Sequence, residues 1–213
     1  MTPILSLVAP LAVGDVSGSL PWGLWLGRWF KGVDVRTIGS GNLGATNVYR
    51  SLGPGIGVAT LLLDVAKGAL PVWLVPQAGF AQAFPGGPEW CAVAVAFAAV
   101  AGHVFTFLAG FKGGKGVATS VGVLLALSPP AFGVFLAVFF ATLLATRFVS
   151  LGSMLGAIAF TVALWRFSPG GFASPRVILG VLLAVVVIVR HKDNISRLLK
   201  GQESRFSFTR KKS

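Results

Sequence analysis

The 213-residue chain has too little polar surface for a soluble globular protein, since 54% of its residues are hydrophobic and only 11% are charged. We therefore expect an all-α polytopic integral membrane protein. A net charge of +12 would indicate nucleic acid in a soluble chain, but here most basic residues stand in short loops between apolar segments. This distribution argues against a nucleic-acid partner and points instead to membrane topology and anionic ligands.

Seven apolar segments predict seven transmembrane helices in a single domain that covers residues 1–213. The first segment contains Pro21 and several polar residues, which predicts a kink. Pro129 and Pro130 divide the apolar run at 117–148 into two spans, and the first of these is short. The predicted spans are residues 4–26, 53–75, 90–108, 117–128, 131–146, 151–165 and 177–189, followed by a basic tail at 190–213.

The basic residues predict how these spans are oriented. Fifteen of the 18 Lys and Arg residues fall on one side, whereas only Arg166 and Arg176 fall on the other and Lys67 lies within the second span. The positive-inside rule therefore predicts an outside N-terminus and a cytoplasmic C-terminus. Asp64 stands three residues before Lys67, so the two share a helix face and are expected to pair.

A polar, glycine-rich run at residues 39–50 interrupts the hydrophobic chain after the first span. Its glycines leave backbone N–H groups uncovered, and a helix predicted to begin at about Ala45 would turn the positive end of its dipole toward the loop. A flexible loop is the commoner meaning of such a composition. Here, however, polar side chains stand where a phosphate or carboxylate ligand would need donors: Asn42, Thr46, Asn47 and Arg50.

A second glycine-rich run, residues 111–116, carries Lys112 and Lys115. It is not a nucleotide-binding P-loop, because that motif needs Gly in place of Ala109 and Ser or Thr in place of Gly116. Membrane topology alone could account for the two lysines, because cytoplasmic loops are rich in basic residues. Topology does not account for the glycines, however. We interpret the two lysines as cations that bind a phosphate group.

The third polar cluster follows the last span. His191, Asn194 and Arg197 are three residues apart, so they share one face if the last helix continues past the membrane. Simple attraction to anionic lipid is the alternative, and we expect it for residues 200–212. The histidines, acids and single cysteine show no metal-ligand spacing, so no metal or cofactor is expected, and Cys91 is interpreted as a buried residue without a catalytic role.

Together these motifs resemble those of the bacterial acyl-phosphate-dependent glycerol-3-phosphate acyltransferases, the PlsY family. The match spans most of the chain in the expected order, and the joint pattern is far more specific than any one motif. Thr106 departs from the family pattern, which has proline after the phenylalanine. The residues that carry the resemblance are Gly39 to Asn42, Gly44, Thr46, Asn47, Arg50, Gly102, His103, Phe105, Phe111 to Thr119, Arg190, His191, Asn194, Ile195, Arg197, Leu198, Gly201 and Glu203.

The resemblance implies acyl transfer from acyl phosphate to the 1-hydroxyl of sn-glycerol 3-phosphate, which gives lysophosphatidic acid and inorganic phosphate in the first step of phospholipid synthesis. It also implies a multi-pass protein of the bacterial inner membrane with a cytoplasmic active site, and we expect a monomer that contacts membrane lipids. A substrate phosphate is implied as acceptor of the hydroxyl proton, with a protein base as the alternative. The sequence leaves open which cluster binds which phosphate.

Residue roles also follow from the resemblance. Glu203 is expected either to clamp Arg197 or to bind a glycerol hydroxyl. The implied catalytic residues are Ser40, Lys112, His191 and Asn194. The implied substrate-binding residues are Gly41, Asn42, Gly44, Thr46, Asn47, Arg50, Lys115, Ser150, Arg197 and Glu203.

Two other function classes fit the sequence less well. A secondary transporter for an organic phosphate would also use broken helices and the intramembrane Asp64, but it needs a site near the midplane and usually an internal repeat. Here the donors are predicted at one membrane face, which favours an enzyme. An acyl-CoA acyltransferase with a His-x-x-x-x-Asp pair does not fit, because Leu108 and Ser196 occupy the positions five residues after the two histidines.

Overall fold

A computed structural model describes residues 3–207, so the last six residues of the predicted basic tail lie outside the described residues. Between residues 3 and 207 the chain forms ten α-helices and no β-strand, which confirms the all-α prediction. The helices are α1 (Pro3–Ser19), α2 (Trp22–Lys31), α3 (Ala45–Leu52), α4 (Pro54–Leu74), α5 (Gly87–Val104), α6 (Val117–Leu127), α7 (Pro129–Thr146), α8 (Val149–Phe167), α9 (Pro175–Arg190) and α10 (Lys192–Leu199). They divide into two compact units, one up to Pro129 and one from Pro130 onward.

In the first unit, helix α1 packs along α5, and α4 packs along α6. Small residues make these contacts close. A Cβ atom added to Gly14 would lie 2.6 Å from the carbonyl oxygen of Val95, and one added to Gly68 would lie 3.0 Å from the carbonyl carbon of Thr119. Such close backbone approach is typical of helices that associate in lipid, where packing replaces the hydrophobic effect as the driving force.

The predicted kink in the first apolar segment is confirmed. Helix α1 ends at Ser19 and α2 begins at Trp22, because Pro21 has no N–H group with which to continue the helical ladder. The helical path then runs to Lys31, five residues beyond the predicted end of this span. It brings the chain directly to the first polar motif.

In the second unit, α7 packs on α8 through the rings of Phe135 and Phe160, whose centroids are 6.4 Å apart. Thr161 of α8 donates a 3.0 Å hydrogen bond to the Gly180 carbonyl of α9. The last predicted span does not continue as a single helix. Helix α9 ends at Arg190, and the separate helix α10 begins at Lys192. The single-domain organisation remains a prediction.

Within the described residues, five helical segments are long and apolar enough to cross a membrane: Ile4–Lys31, Pro54–Gln77, Gly87–Ala109, Pro129–Thr146 and Val149–Phe167. The other two predicted spans correspond to shorter helices, α6 with 11 residues and α9 with 16. At 1.5 Å per residue these helices are roughly 16 and 24 Å long, less than the hydrocarbon core of about 30 Å. Seven spans, and the orientation of the termini, therefore remain predictions.

Cysteine labelling distinguishes seven spans from five. In a Cys91→Ala background, we expect cysteines at Gly79 and Ala173 to react with a membrane-impermeant thiol reagent added to intact cells, and a cysteine at Ser204 to react only after lysis. All three positions are exposed, so access to the reagent is limited by the membrane rather than by the fold. If α6 and α9 do not cross, the cysteine at Ala173 is protected together with that at Ser204. Labelling at Ser204 from outside would reverse the predicted orientation.

Candidate active site

The side chain of Asn47 forms hydrogen bonds with the backbone of the first glycine loop, residues 39–44. This side chain is only 6% exposed. Its Oδ1 accepts a 2.9 Å hydrogen bond from the Ser40 N–H, and its Nδ2 donates to the carbonyl oxygens of Val35, Ile38 and Asn42 at 3.3, 3.3 and 2.9 Å. The amide of Asn47 thus organises the loop backbone, and its predicted role as a phosphate ligand remains a prediction.

Two glycines of this loop are required by its geometry. Gly39 and Gly41 have φ angles of +58° and +69°, in the left-handed region that favours glycine. A Cβ atom on Gly39 would also lie 2.6 Å from the hydroxyl oxygen of Ser51. The glycine run is therefore a defined turn and not a flexible linker.

The loop leads into α3 as the sequence predicts, with the helix beginning at Ala45. Asn42 Oδ1 accepts a 2.8 Å hydrogen bond from the Gly44 N–H, which fixes the chain just before the helix. The Gly44 carbonyl accepts the N–H groups of Asn47 and Val48. The N–H groups of Ala45 and Thr46 come before those two in the helix. The helix has no earlier turn whose carbonyl groups could accept them, so this end of α3 has the form of an anion-binding site.

An ion-pair network lies just before the loop in the chain, and no pattern in the sequence predicted it. Arg36 and Arg28 contact Asp34 with N–O distances of 2.6 and 2.9 Å. The hydrogen bond from Arg36 holds the pKa of Asp34 well below its usual range, against the opposing effect of burial. Arg36 also donates a 3.2 Å hydrogen bond to the Ala109 carbonyl and so connects the first loop to the region before the second.

The second glycine loop, residues 112–116, folds back over the C-terminal end of α5. The Gly113 N–H donates to the Val104 carbonyl at 3.2 Å, and the Gly114 N–H donates to the His103 carbonyl at 3.1 Å. Lys112 is exposed at the start of this loop and Lys115 is half-buried near its end. The first unit therefore presents two glycine loops, one at the start of α3 and one at the start of α6, each rich in N–H donors or lysines.

In the second unit, the carboxylate of Glu203 joins three predicted site residues. Glu203 is 8% exposed. Its Oε1 accepts hydrogen bonds from the Ser150 hydroxyl at 2.7 Å and the Asn194 amide at 2.6 Å, and its Oε2 accepts from the Arg197 guanidinium at 2.7 Å. The expected clamp between Glu203 and Arg197 is present.

These contacts also determine the electrostatics of Glu203. Burial alone would raise the pKa of this carboxyl, but the hydrogen bonds from Ser150, Asn194 and Arg197 together lower it. The carboxylate is consequently ionised at neutral pH and fully engaged by donors. A carboxylate with a lowered pKa is a weak base.

The segment after α10 packs back on the turn between α7 and α8. The Phe206 N–H donates a 2.6 Å hydrogen bond to the Arg147 carbonyl, and the Arg205 guanidinium lies over the Phe148 ring at 5.6 Å. The φ angle of Arg147 is +63°, unusual for a residue other than glycine, and it turns this carbonyl toward the returning chain. The C-terminal segment thus completes the environment of Ser150.

His191 lies at the junction between α9 and α10. Its ring is buried, and Nδ1 lies 2.7 Å from the Val187 carbonyl oxygen. Because a carbonyl oxygen only accepts hydrogen bonds, Nδ1 carries the proton in this contact. The junction aims Asn194 and Arg197 at Glu203, whereas the ring of His191 is oriented by α9.

Sequence comparison assigns the family. The family profile described as glycerol-3-phosphate acyltransferase matches residues 8–201, which is most of the chain and most of each unit. The chain belongs to this family. The match covers both glycine loops and the residues from Ser150 to Arg197, whereas Glu203 lies just beyond its end.

Individual members of the glycerol-3-phosphate acyltransferase family align with this chain over nearly their whole lengths. The chain is 47% identical over 199 residues to the protein of that name from Geobacter sulfurreducens, covering 92% of this chain and 95% of the relative. It is 43% identical over 204 residues to the one from Desulforudis audaxviator, covering 96% and 98%.

Crystal structures of PlsY (YgiH), an integral membrane glycerol 3-phosphate acyltransferase, share the fold. The glycerol 3-phosphate form gives a TM-score of 0.84 and the lysophosphatidic acid form gives 0.82. Both are 34% identical to this chain, with 94% of this chain and 95% of the other covered. The predicted resemblance to the PlsY family is therefore confirmed.

Proposed function

We propose that the protein transfers a fatty acyl group from acyl phosphate to the 1-hydroxyl of sn-glycerol 3-phosphate, giving lysophosphatidic acid and inorganic phosphate. The observation that carries this proposal is the organised anion-binding site at the start of α3, in a chain of the glycerol-3-phosphate acyltransferase family. A related crystal structure is described with glycerol 3-phosphate and another with lysophosphatidic acid, the acceptor and the product of this reaction.

The chemistry asks little of the protein beyond positioning and charge neutralisation. The hydroxyl oxygen attacks the carbonyl carbon of the acyl phosphate, a C–O ester bond forms, and the C–O bond to the phosphate breaks. Phosphate leaves with the electron pair of that bond. Backbone N–H groups and cations that face the carbonyl oxygen and the leaving phosphate lower the barrier because they stabilise charge that grows in the transition state.

In the first unit, we assign phosphate binding to the amides at the start of α3 together with Ser40, Thr46 and Arg50. Ser40 is exposed beside Gly39 and Gly41, and its own N–H is held by Asn47. Asn42 acts through its bond to the Gly44 N–H, and Asn47 acts through the loop backbone. Lys112 and Lys115 supply positive charge from the second glycine loop.

In the second unit, we assign substrate orientation to His191, Asn194 and Arg197. Glu203 holds the last two, and Ser150 as well, in a single hydrogen-bonded cluster.

A substrate phosphate is the favoured acceptor of the hydroxyl proton. The pKa values of both Asp34 and Glu203 are lowered by their hydrogen-bonding partners, so these carboxylates are poor general bases. A phosphate monoester has a second pKa near 6 and is a better match to neutral pH.

The proposed setting is the cytoplasmic face of the bacterial inner membrane, where a water-soluble acceptor and a lipid-soluble donor are both accessible. The enzyme is proposed to act as a monomer among membrane lipids. The positive-inside distribution of basic residues supports this side for both glycine loops and for the cluster around Glu203.

A donor assay on the purified protein tests the proposal. Protein in liposomes is supplied with glycerol 3-phosphate and with palmitoyl phosphate, palmitoyl-CoA or palmitoyl-acyl carrier protein. We expect lysophosphatidic acid and inorganic phosphate in equal amounts with palmitoyl phosphate, and no product with the other two donors. Turnover with a thioester but not with palmitoyl phosphate would contradict the proposed donor. Uptake of glycerol 3-phosphate into the liposomes without any acyl product would instead favour the transporter.

A further inference from the structure

Three ionisable side chains that are not among the donors assigned above lie together inside the first unit. Asp64 and Lys67 of α4 and His103 of α5 are 2%, 4% and 5% exposed. Lys67 Nζ lies 2.8 Å from Asp64 Oδ1, which confirms the predicted pair, and His103 Nδ1 lies 3.7 Å from the same oxygen. Buried charges are costly even when paired, so a cluster of this kind is a functional candidate.

Lys67 connects this cluster to the break between α1 and α2. Its ammonium group donates a 2.7 Å hydrogen bond to the Leu20 carbonyl, and the Ser17 hydroxyl donates a 2.9 Å bond to the Lys67 carbonyl. Pro21 interrupts the helix at this point, and Lys67 binds a carbonyl outside the regular helical ladder. The position of the break is therefore coupled to α4.

The end of α5 is bound to the same break. The Ser19 hydroxyl donates a 3.3 Å hydrogen bond to the Gly102 carbonyl, and the buried Thr106 hydroxyl donates to the Ser19 carbonyl. Thr106 stands where the family pattern has proline, so the departure noted in the sequence supplies a hydrogen bond that proline has no donor to make. His103 lies between these contacts and Asp64.

His103 also contacts the second glycine loop. Its carbonyl accepts the Gly114 N–H, and its ring packs so closely on Gly114 that a Cβ atom added there would lie 2.8 Å from Cε1. The ring of His103 therefore lies directly against the second glycine loop, which carries Lys112 and Lys115.

The first glycine loop also reaches this cluster, through a cavity that Leu43 helps to line. A cavity of about 10 Å³ is lined by Asp64, Lys67, His103, Gly114 and Leu43. Leu43 immediately precedes Gly44, the residue before α3. The buried cluster therefore shares a cavity with one residue of each glycine loop, Leu43 and Gly114.

We propose that Asp64, Lys67 and His103 are positioning residues that hold the two glycine loops in the relative placement needed to bind a substrate phosphate. They act through the backbone and have no contact with substrate. The inference rests on the proposed function, since it assigns a task to the same loops. Small displacements of binding groups weaken binding and turnover strongly, so residues that fix the loops affect substrate binding without touching the substrate.

The test uses the double variant Asp64→Asn/Lys67→Met. Removing both charges leaves no unpaired ion in the interior, so this variant is expected to fold where a single removal would strongly destabilise. It nevertheless lacks the ammonium group that binds Leu20 and Asp64. We expect the KM for glycerol 3-phosphate to rise about tenfold or more in the folded fraction, and its dissociation constant, measured by equilibrium dialysis without any acyl donor, to rise in parallel.

Thr60→Val is the matched control. Thr60 is buried on α4 one turn before Asp64, and its hydroxyl donates only within the helix, to the Ile56 carbonyl at 2.8 Å. We expect its KM and dissociation constant to stay at wild-type values.

A merely structural role for the cluster predicts loss of folded protein while the remaining enzyme keeps the wild-type KM. A change below about threefold in both constants in the double variant would overturn the inference. Should the double variant not fold, His103→Asn decides by the same criterion, because it removes the ring that packs on Gly114 and leaves the ion pair of Asp64 and Lys67 intact. Wild-type protein that binds glycerol 3-phosphate but uses another donor would refute only the donor proposed above. The dialysis comparison still decides the positioning role in that case.

Discussion

Replacing Glu203 with glutamine is expected to lower both the stability of the protein and its kcat/KM, although the side chain keeps its size. Glu203 accepts from Ser150 and Asn194 on one oxygen and from Arg197 on the other. A glutamine amide has one accepting oxygen and one donating NH2 group, so in either orientation a donor faces a donor. Losing a charged hydrogen bond at such a site costs about 1.5 to 3 kcal/mol, which corresponds to roughly a ten- to hundredfold loss in kcat/KM if the bond positions substrate ligands.

Thermal unfolding and steady-state kinetics of the purified variant check this expectation. Asp193→Asn is the matched control, because Asp193 is an exposed acid on the same helix as Asn194 and Arg197. We expect the control to retain wild-type kinetics. If Glu203→Gln were as active and as stable as the control, the cluster around Glu203 would have no part in positioning Asn194.

The same carboxylate gives the stability a defined pH dependence. The pKa of Glu203 is lowered in the folded protein from an ordinary value of 4.5. The ionised Glu203 therefore contributes its full stabilisation above pH 4.5. This contribution is lost as the pH falls through the lowered pKa of the folded state, because the folded protein then takes up the proton. The difference in melting temperature between wild type and Glu203→Gln should accordingly be largest at neutral pH and shrink in acid.

The sequence was sufficient for features that depend on local spacing. The length and apolarity of each segment located the helices to within a few residues, since a span needs about 20 apolar residues. The i, i+3 spacing of Asp64 and Lys67 placed both on one face, and they do form a 2.8 Å pair. The helix at Ala45 followed from the change between glycines and helix-forming residues.

Features that depend on irregular backbone were beyond sequence reasoning. Asn47 has the donors of a phosphate ligand, yet its amide binds the backbone of Val35, Ile38, Ser40 and Asn42. Those partners face it only because the loop turns through two positive φ angles. Neither helical nor strand periodicity describes such a path.

Contacts between distant segments were equally hidden. Ser150 and Glu203 are 53 positions apart, and no spacing rule connects them. The junction at His191 had no signal either, because neither proline nor glycine marks the end of α9 in the sequence. The chain turns there, and the direction of α10 is what brings Asn194 and Arg197 to one carboxylate.

Arg50→Lys tests the anion-binding site at the start of α3 most directly, because this substitution keeps the charge and changes the geometry. Arg50 stands four residues after Thr46, so both lie on one face of the helix, and helical side chains lean toward the N-terminus. The guanidinium can reach the first turn and give two parallel hydrogen bonds to a phosphate, whereas an ammonium group acts as a point charge. We expect kcat/KM to fall roughly ten- to a hundredfold, equivalent to about 1.5 to 3 kcal/mol.

The kinetic constants separate two roles for Arg50. A rise in KM for one substrate with kcat unchanged indicates a ground-state phosphate contact, whereas a fall in kcat indicates that Arg50 also neutralises the leaving phosphate. The competing explanation is electrostatic, since Arg50 lies in the last turn of α3 and any cation there favours the helix dipole and the cytoplasmic side. That explanation predicts that lysine serves equally well. Lys31→Arg is the control, because Lys31 is an exposed cation in the last turn of α2 with no assigned substrate contact. The kinetics of this variant should equal those of the wild type. Wild-type kinetics for Arg50→Lys in normally inserted protein would remove Arg50 from the site, because a lysine cannot reproduce the two parallel bonds on which its assignment depends.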